Sequence, residues 1–199
     1  MKTLFASAAL AGLVAAPALK AEIWEIDPGH TEVVASWNHV GFSTQSLKFH
    51  EAEGQLDFTP GDPEGASAEF SILVDSVDTG VGMLDDELKG ETFFNAAEYP
   101  RVTFVSTEVE QTGDMTVRVM GELTVKDVTG PATFEVTVNA MGEHPLGGFF
   151  DVYQGEWLGM TARATISRSA FGLGALGPTA SDEIEIVINT EMKAGGFPG

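Results

Sequence analysis

The 199-residue chain contains no cysteine, and it has only ten lysine and arginine residues against thirty aspartate and glutamate residues. The absence of cysteine excludes disulfide bonds, thiolate metal sites and cysteine nucleophiles. The shortage of positive charge leaves a formal net charge of −20. Nucleic acids and anionic membrane surfaces are therefore not expected as partners, because both attract clusters of Lys and Arg. Acidity of this size is typical of a well-solvated surface.

Long apolar runs are also scarce, and the main one lies at the N-terminus. Met1-Lys2-Thr3 supplies positive charge, an alanine-rich apolar run occupies residues 4–16, and small residues follow. This layout predicts a signal peptide over residues 1–21, since the run is too short to span a membrane. We therefore expect export to the periplasm without stable membrane insertion. Residues 22–192 would form the folded domain and residues 193–199 a flexible tail.

Alternation with a period of two residues dominates the rest of the chain. In the segment 69–75, Phe70, Ile72 and Val74 alternate with polar residues. Similar segments occur near 22–27, 32–39, 55–58, 101–110, 116–125, 133–140, 157–166 and 182–191. This pattern predicts an all-β, antiparallel fold of eight or nine strands. Residues 78–98 depart from the alternation, which indicates one short helical segment around 80–97.

An antiparallel sheet of this size hides its edges by closing into a barrel or by stacking as a sandwich, and periodicity alone leaves both open. The apolar faces run up to five positions deep, and such long strands favour an elongated eight-stranded barrel. Small residues on those faces would leave space along the barrel axis: Ala35, Gly121, Ala140, Ala162 and Ala164. Such a space would be an apolar cavity that accepts an apolar guest.

Six motifs occur in a characteristic order and spacing: WEIDPGHTEVVASWNHVG (24–41), SVDTG (76–80), FFNAAEYPRVTFVSTEV (93–109), GELTVKDVTGPATFEV (121–136), ISRSAFGL (166–173) and SDEIEIVI (181–188). Together they resemble the YceI-like family of secreted polyisoprenoid-binding proteins over essentially the whole mature chain. The resemblance implies an elongated, lipocalin-like barrel that holds an isoprenoid or another long-chain lipid and has no catalytic centre. Where the family often has Arg-Asp and then His-Leu after SVDT, this chain has Leu84-Asp85 and Glu87-Leu88. A headgroup contact from that Arg or His is therefore not expected.

The predicted binding site consists of apolar side chains that face the barrel axis. The candidates are Val33, Ala35, Trp37, Phe70, Ile72, Val74, Val117, Val119, Phe134, Val136, Ala162, Ala164, Ile184 and Ile186. The same residues would form a solid core in a barrel without a cavity. Phe93 and Phe94 are predicted to fold over the barrel, either as a cap on its core or as a lid over a cavity. Arg168 is expected near one barrel end, where it pairs with a carboxylate or meets a lipid headgroup.

Catalytic and metal-binding patterns are weak in this chain. Neither a metal nor another cofactor is expected, because no His-x-His or HExxH spacing connects the four histidines, His30, His39, His50 and His144. A GxSxG nucleophile motif is missing too, so we do not expect an enzyme. A hydrolase that uses paired carboxylates stays a distant alternative.

The main alternative to a lipid-binding barrel is a secreted β-sandwich that recognises carbohydrate. Its binding surface would use loop aromatics such as Tyr153 and Trp157, which lie in the segment 144–157 outside the regular alternation. Exposed apolar clusters of this kind often mark interaction sites, although loop aromatics also fold inward. The identity of the lipid and assembly into a homodimer are left open by the sequence.

Overall fold

The computed structural model describes residues 21–175 and 177–197, so that the predicted signal peptide, apart from Ala21, lies outside the described residues. In this part of the chain eleven β-strands and one α-helix form. The strands are β1 (Glu22–Ile26), β2 (Glu32–His39), β3 (Ser43–Phe49), β4 (Ala52–Thr59), β5 (Asp62–Leu73), β6 (Val77–Asp78), β7 (Arg101–Gly113), β8 (Thr116–Val125), β9 (Val128–Glu143), β10 (Glu156–Ser167) and β11 (Glu183–Ala194). The helix is α1 (Gly82–Lys89). Neither this helix nor any other helix among the described residues is long and apolar enough to cross a membrane.

The strands close into an antiparallel barrel. Hydrogen-bonded neighbours follow the order β1-β4-β5-β7-β8-β9-β10-β11, and β11 pairs with β1 to complete the ring of eight. β11 pairs with β2 through residues 185–189 and with β1 through residues 192–194, so β1 and β2 serve as one bent strand. Closure leaves no free edge in this ring. The predicted eight-stranded barrel is confirmed, and the β-sandwich alternative is wrong.

The two ends of the barrel differ in what covers them. One end carries the β4–β5 turn, the β7–β8 turn and the β9–β10 loop, and we call it the open end. The other carries the β2–β3 hairpin, α1, the β8–β9 turn and the β10–β11 loop, and we call it the closed end. The assignment follows from the antiparallel order, because successive connections alternate between the two ends.

Buried side chains fill the closed half of the barrel. One cluster contains Val33, Leu47, Phe49, Ile72, Val77 and Leu88 of the helix. A second contains Phe104, Leu123, Val125, Ala132, Phe134, Val136 and Phe171. The helical segment predicted around 80–97 is confirmed, and it packs over this end because Leu88 points into the first cluster.

Phe93 and Phe94 pack into this filled half. The Phe94 ring meets Phe49 edge-on with 5.9 Å between ring centroids, and Phe94 contacts both buried clusters. Phe93 packs against the cluster around Leu88. Of the two predicted arrangements, these contacts correspond to a cap on the core.

The C-terminal strand continues further than its sequence indicates. Lys193 pairs with Trp157 and Ala194 pairs with Trp24, so β11 closes the barrel with residues assigned above to a flexible tail. The Phe197 ring lies 5.8 Å from the Trp157 ring. Residues 193 and 194 therefore belong to β11, and residues 198–199 lie outside the described part. A polar strand, β3, was also absent from the predicted set because only two of its seven residues are buried.

Two of the small residues expected to leave space in the barrel do not. At Gly121 a Cβ atom would lie 2.6 Å from the Phe104 ring, so the glycine is covered by that ring. Ala140 is exposed because an extra residue between Val138 and Ala140 bulges from β9, where the pairing shifts from Gly159↔Ala140 to Met160↔Val138. A β-bulge reverses the inward and outward faces of the strand that follows it.

Candidate ligand-binding cavity

A cavity of about 360 Å³ reaches into the barrel from the open end. Its wall consists mainly of apolar side chains on the inner faces of β4, β5 and β7 to β11 and in the β7–β8 turn. Among them are Leu56, Phe58, Ala66, Ala68, Val109, Met115, Val138, Met141, Leu158 and Met160. The volume lies near the lower end of the range of about 300–1,000 Å³ that small-ligand pockets occupy.

Three aromatic rings form the inner limit of the cavity. Phe70, Phe104 and Phe134 line it and also pack into the buried clusters behind it. Phe104 and Phe134 meet edge-on with 5.0 Å between ring centroids, a favoured aromatic geometry. Gly121 makes this floor possible, because any larger residue would occupy the space of the Phe104 ring.

Six predicted site residues line this cavity: Phe70, Val117, Val119, Phe134, Val136 and Ala162. Others pack into the closed half instead, namely Val33, Ala35, Trp37, Ile72, Phe93, Phe94, Ala164 and Ile186. Val74 is 1% exposed in a 3₁₀ turn after β5, and Ile184 is half-buried near the start of β11. The side chains of the β-strand candidates do face inward as predicted, but α1 and the segment behind it fill one half of the barrel.

The mouth of the cavity includes residues that the sequence reasoning missed. Ala66, Ala68 and Pro63 come from the first part of β5, where alternation with polar residues was a usable signal. Met141 comes from the end of β9 and pairs with Leu158 across the inner face. No local signal identifies Met141, since it reaches the inner face only after the β-bulge.

Arg168 organises a loop at the closed end rather than the mouth. Its side chain is 8% exposed. Its guanidinium donates hydrogen bonds to carbonyl oxygens of the β10–β11 loop, at Leu173, Ala175, Gly177, Ala180 and Ser181. Backbone carbonyls thus occupy the guanidinium where a carboxylate partner or a lipid headgroup was predicted.

Asp182 holds the same loop from its other side. Its carboxylate accepts hydrogen bonds from the hydroxyls of Ser167 and Ser169 and from the Ser169 N–H. These bonds favour the charged form, and together with the nearby Arg168 they lower the pKa of Asp182 below its ordinary value of 3.8. The closed end is thus held by polar contacts as well as by apolar packing.

The aromatic loop between β9 and β10 packs against the outer wall. Trp157 is 4% exposed, and its Nε1 donates a hydrogen bond to the Tyr153 carbonyl at 3.0 Å. Tyr153 stacks on His144 with 4.5 Å between ring centroids. Of the two predicted carbohydrate contacts, Trp157 is thus buried and Tyr153 is half-buried. The described residues also contain no group of three or more His, Asp or Glu side chains suited to a metal ion.

The architecture is that of a closed antiparallel β-barrel with an apolar interior cavity and a packed opposite half. A family model described as the YceI-like domain matches residues 24–192, and the chain belongs to this family. A UPF0312 protein of Shewanella oneidensis is 29% identical over 196 residues, covering 96% of this chain and 99% of the relative. A UPF0312 protein of Yersinia pestis is 34% identical over 154 residues, covering 77% of this chain and 76% of the relative.

Solved structures share the barrel. BcnA of Burkholderia cenocepacia superposes with a TM-score of 0.73 at 26% identity, over 83% of this chain and 98% of BcnA. A polyisoprenoid-binding domain of Saccharophagus degradans, implicated in plant cell wall breakdown, has a TM-score of 0.64 at 14% identity, over 86% of this chain and 98% of the domain. At that identity the second similarity shows a common fold.

Proposed function

We propose that the protein binds the tail of a long-chain apolar lipid, such as a polyisoprenoid, in the cavity at the open end. The observation that carries the proposal is the cavity itself, which is lined by apolar side chains and is limited inside by Phe70, Phe104 and Phe134. Membership of the YceI-like family and the polyisoprenoid-binding domain among the structural neighbours support the same class of ligand. The proposed role is carriage, storage or sequestration of the lipid, without catalysis.

Burial of apolar surface is the driving force for such binding. Each ~100 Å² of lipid surface that leaves water contributes about 2.5 kcal/mol. Association and ordering of the chain cost roughly 4–15 kcal/mol. A tail must therefore hide several hundred Å² before binding becomes tight, and we expect affinity to rise with tail length until the cavity is filled.

We also propose that the protein works in the periplasm, after removal of an N-terminal signal peptide at residues 1–21. The proposal rests on the cationic start, the short apolar run and the small residues that follow it. Cell fractionation with N-terminal sequencing of the mature protein tests it. Retention of the leader on cytoplasmic protein would contradict it.

The direct test of lipid binding is extraction of the purified protein with organic solvent, followed by mass spectrometry. We expect a long-chain apolar lipid at a stoichiometric amount, or uptake of an added isoprenoid by the delipidated protein. Recovery of no lipid together with no uptake would refute the proposal.

A pair of variants on β10 tests whether the lipid enters this cavity. Ala162 lines the cavity, whereas Thr165 is exposed on the outer face of the same strand. We expect Ala162→Trp to reduce isoprenoid uptake at least about tenfold, because the indole occupies volume that the tail needs. Thr165→Trp adds the same side chain outside the barrel and should leave uptake unchanged. Equal uptake by both variants, with both folded by circular dichroism, would place the lipid elsewhere.

A further inference from the structure

The cavity has no cationic side chain in its lining that could pair with an anionic group. None of the side chains that line it belongs to Lys, Arg or His, although Asp114 lies at its mouth. The other polar residues that line it are Gln55, Glu69, Gln111, Thr116 and Thr190. Their side chains offer neutral hydrogen-bonding groups or, at Glu69, a second carboxylate, and none of them neutralises a phosphate.

The cationic side chains of the described residues lie on the outer wall or at the closed end. Three of them, Lys48, Arg101 and Arg118, form ion pairs with carboxylates on the barrel surface. Lys193 donates to the carbonyl oxygen of Val152 under the β9–β10 loop, and Arg168 is enclosed by carbonyls at the closed end. The remaining three are Lys89 at the end of α1, Lys126 in the β8–β9 turn and Arg163 on an exposed position of β10.

The rim of the cavity is negative instead. Asp62 and Glu64 lie at the start of β5 and Asp114 lies in the β7–β8 turn, and all three are exposed at the open end. They belong to a chain whose formal net charge is −20. An anionic group at the mouth would therefore be repelled by carboxylates, and salt screens such repulsion only beyond a Debye length of about 8–10 Å.

From this charge distribution we infer that the site selects lipids with an uncharged or cationic headgroup and excludes phosphorylated ones. The inference rests on the proposed function and adds the class of headgroup to it. A lipid that enters tail first leaves its headgroup among Gln111, Asp114 and the rim carboxylates. A lipid that enters headgroup first brings it against Phe70, Phe104 and Phe134, where an unpaired charge is strongly disfavoured. A phosphate is unfavourable in both orientations, whereas a hydroxyl or ammonium group finds hydrogen-bond acceptors at the rim.

The effect of the headgroup on affinity can be measured with three ligands that share one tail: farnesol, farnesylamine and farnesyl phosphate. Affinity of the full mature chain for each is measured by isothermal titration calorimetry below the micelle concentration. We expect farnesol and farnesylamine to bind. Farnesyl phosphate should bind about tenfold more weakly or worse, because two like charges about 4 Å apart repel each other measurably even in water. Farnesyl phosphate binding as tightly as farnesol would overturn the headgroup inference and leave lipid binding intact. Failure of all three to bind would overturn both the inference and the proposed function.

Charge-reversal variants locate the effect at the mouth. Asp114→Lys at the open end should reduce the difference in affinity between farnesol and farnesyl phosphate severalfold. Asp127→Lys changes the net charge by the same amount in the β8–β9 turn of the closed end, where Asp127 is exposed. The Asp127→Lys substitution should leave this difference in affinity unchanged. An equal effect of the two substitutions would show that only the total charge of the protein acts, and would refute a local rim effect.

Discussion

Gly121 is the position at which a single methyl group should disturb the barrel most clearly. It lies in β8 opposite Ser106 of β7, next to a register shift between Ser106 and Glu108. A Cβ atom at this position would be 2.3 Å from the Val105 carbonyl oxygen and 2.6 Å from the Phe104 ring. Glycine inside a strand often marks such a close backbone approach.

The geometry sets the size of the expected effect. Ordinary contact with a Cβ atom begins near 3.4 Å, so Gly121→Ala requires the Val105 carbonyl to retreat by about 1.1 Å (3.4 − 2.3). The carbonyl belongs to the paired backbone and has no rotamer that relieves the contact. Overpacking costs about 1–3 kcal/mol, and a backbone contact should place Gly121→Ala at about 3 kcal/mol. The melting temperature should then fall by about 6–12 °C for a domain of this size.

Urea unfolding followed by tryptophan fluorescence measures this loss, and Gly82→Ala is the matched control. Gly82 is the first residue of α1, and no atom lies within 4 Å of its added Cβ position. Alanine there should be neutral or stabilise by up to about 1 kcal/mol, because it limits the unfolded chain and favours the helix. A stability of Gly121→Ala within about 0.5 kcal/mol of the wild type would refute the argument. It would mean that β7 and β8 move apart without a significant free-energy cost.

Two predictions concern the β10–β11 loop at the closed end. Arg168→Met should lower the free energy of unfolding by about 3 kcal/mol or more, since several carbonyls lose a charged donor. Arg118→Met on the outer wall should cost much less stability, because its ion pairs are exposed, and equal losses in urea unfolding would contradict the assigned role of Arg168. Asp182 has a lowered folded pKa, so the stability that it contributes is present above its ordinary value of 3.8 and is lost as the pH falls through the folded value. Urea midpoints measured from about pH 2 to pH 6 should therefore decline less steeply at the acid end in Asp182→Asn, and identical slopes would refute this linkage.

Local alternation in the sequence was sufficient to predict most of the strands, though not β3, and the direction of most side chains. Val117 and Val119 illustrate this, because a period of two places both on the inner face wherever β8 lies in the sheet. The helical interruption was predictable for the same reason, since residues 78–98 abandon the alternation. Periodicity alone did not distinguish a barrel from a sandwich, and the family resemblance favoured the barrel.

Other features depend on contacts between distant residues. Ala162 and Ala164 lie two positions apart on one strand face, yet only Ala162 lines the cavity. Arg168 donates hydrogen bonds to the β10–β11 loop, which folds around it. Trp157 is covered by the β9–β10 loop, which folds back on the outer wall. These arrangements require knowledge of which segments meet in space.

The amino-acid sequence by itself determined the strand pattern, the inner and outer faces, the acidity and the family. Tertiary structure decided that β11 closes the ring through Ala194. It also decided that the closed half is filled around Leu88 while an apolar cavity stays at the open end. The physical reason is that side-chain direction follows from local backbone geometry, whereas empty volume is what remains after every distant segment has packed.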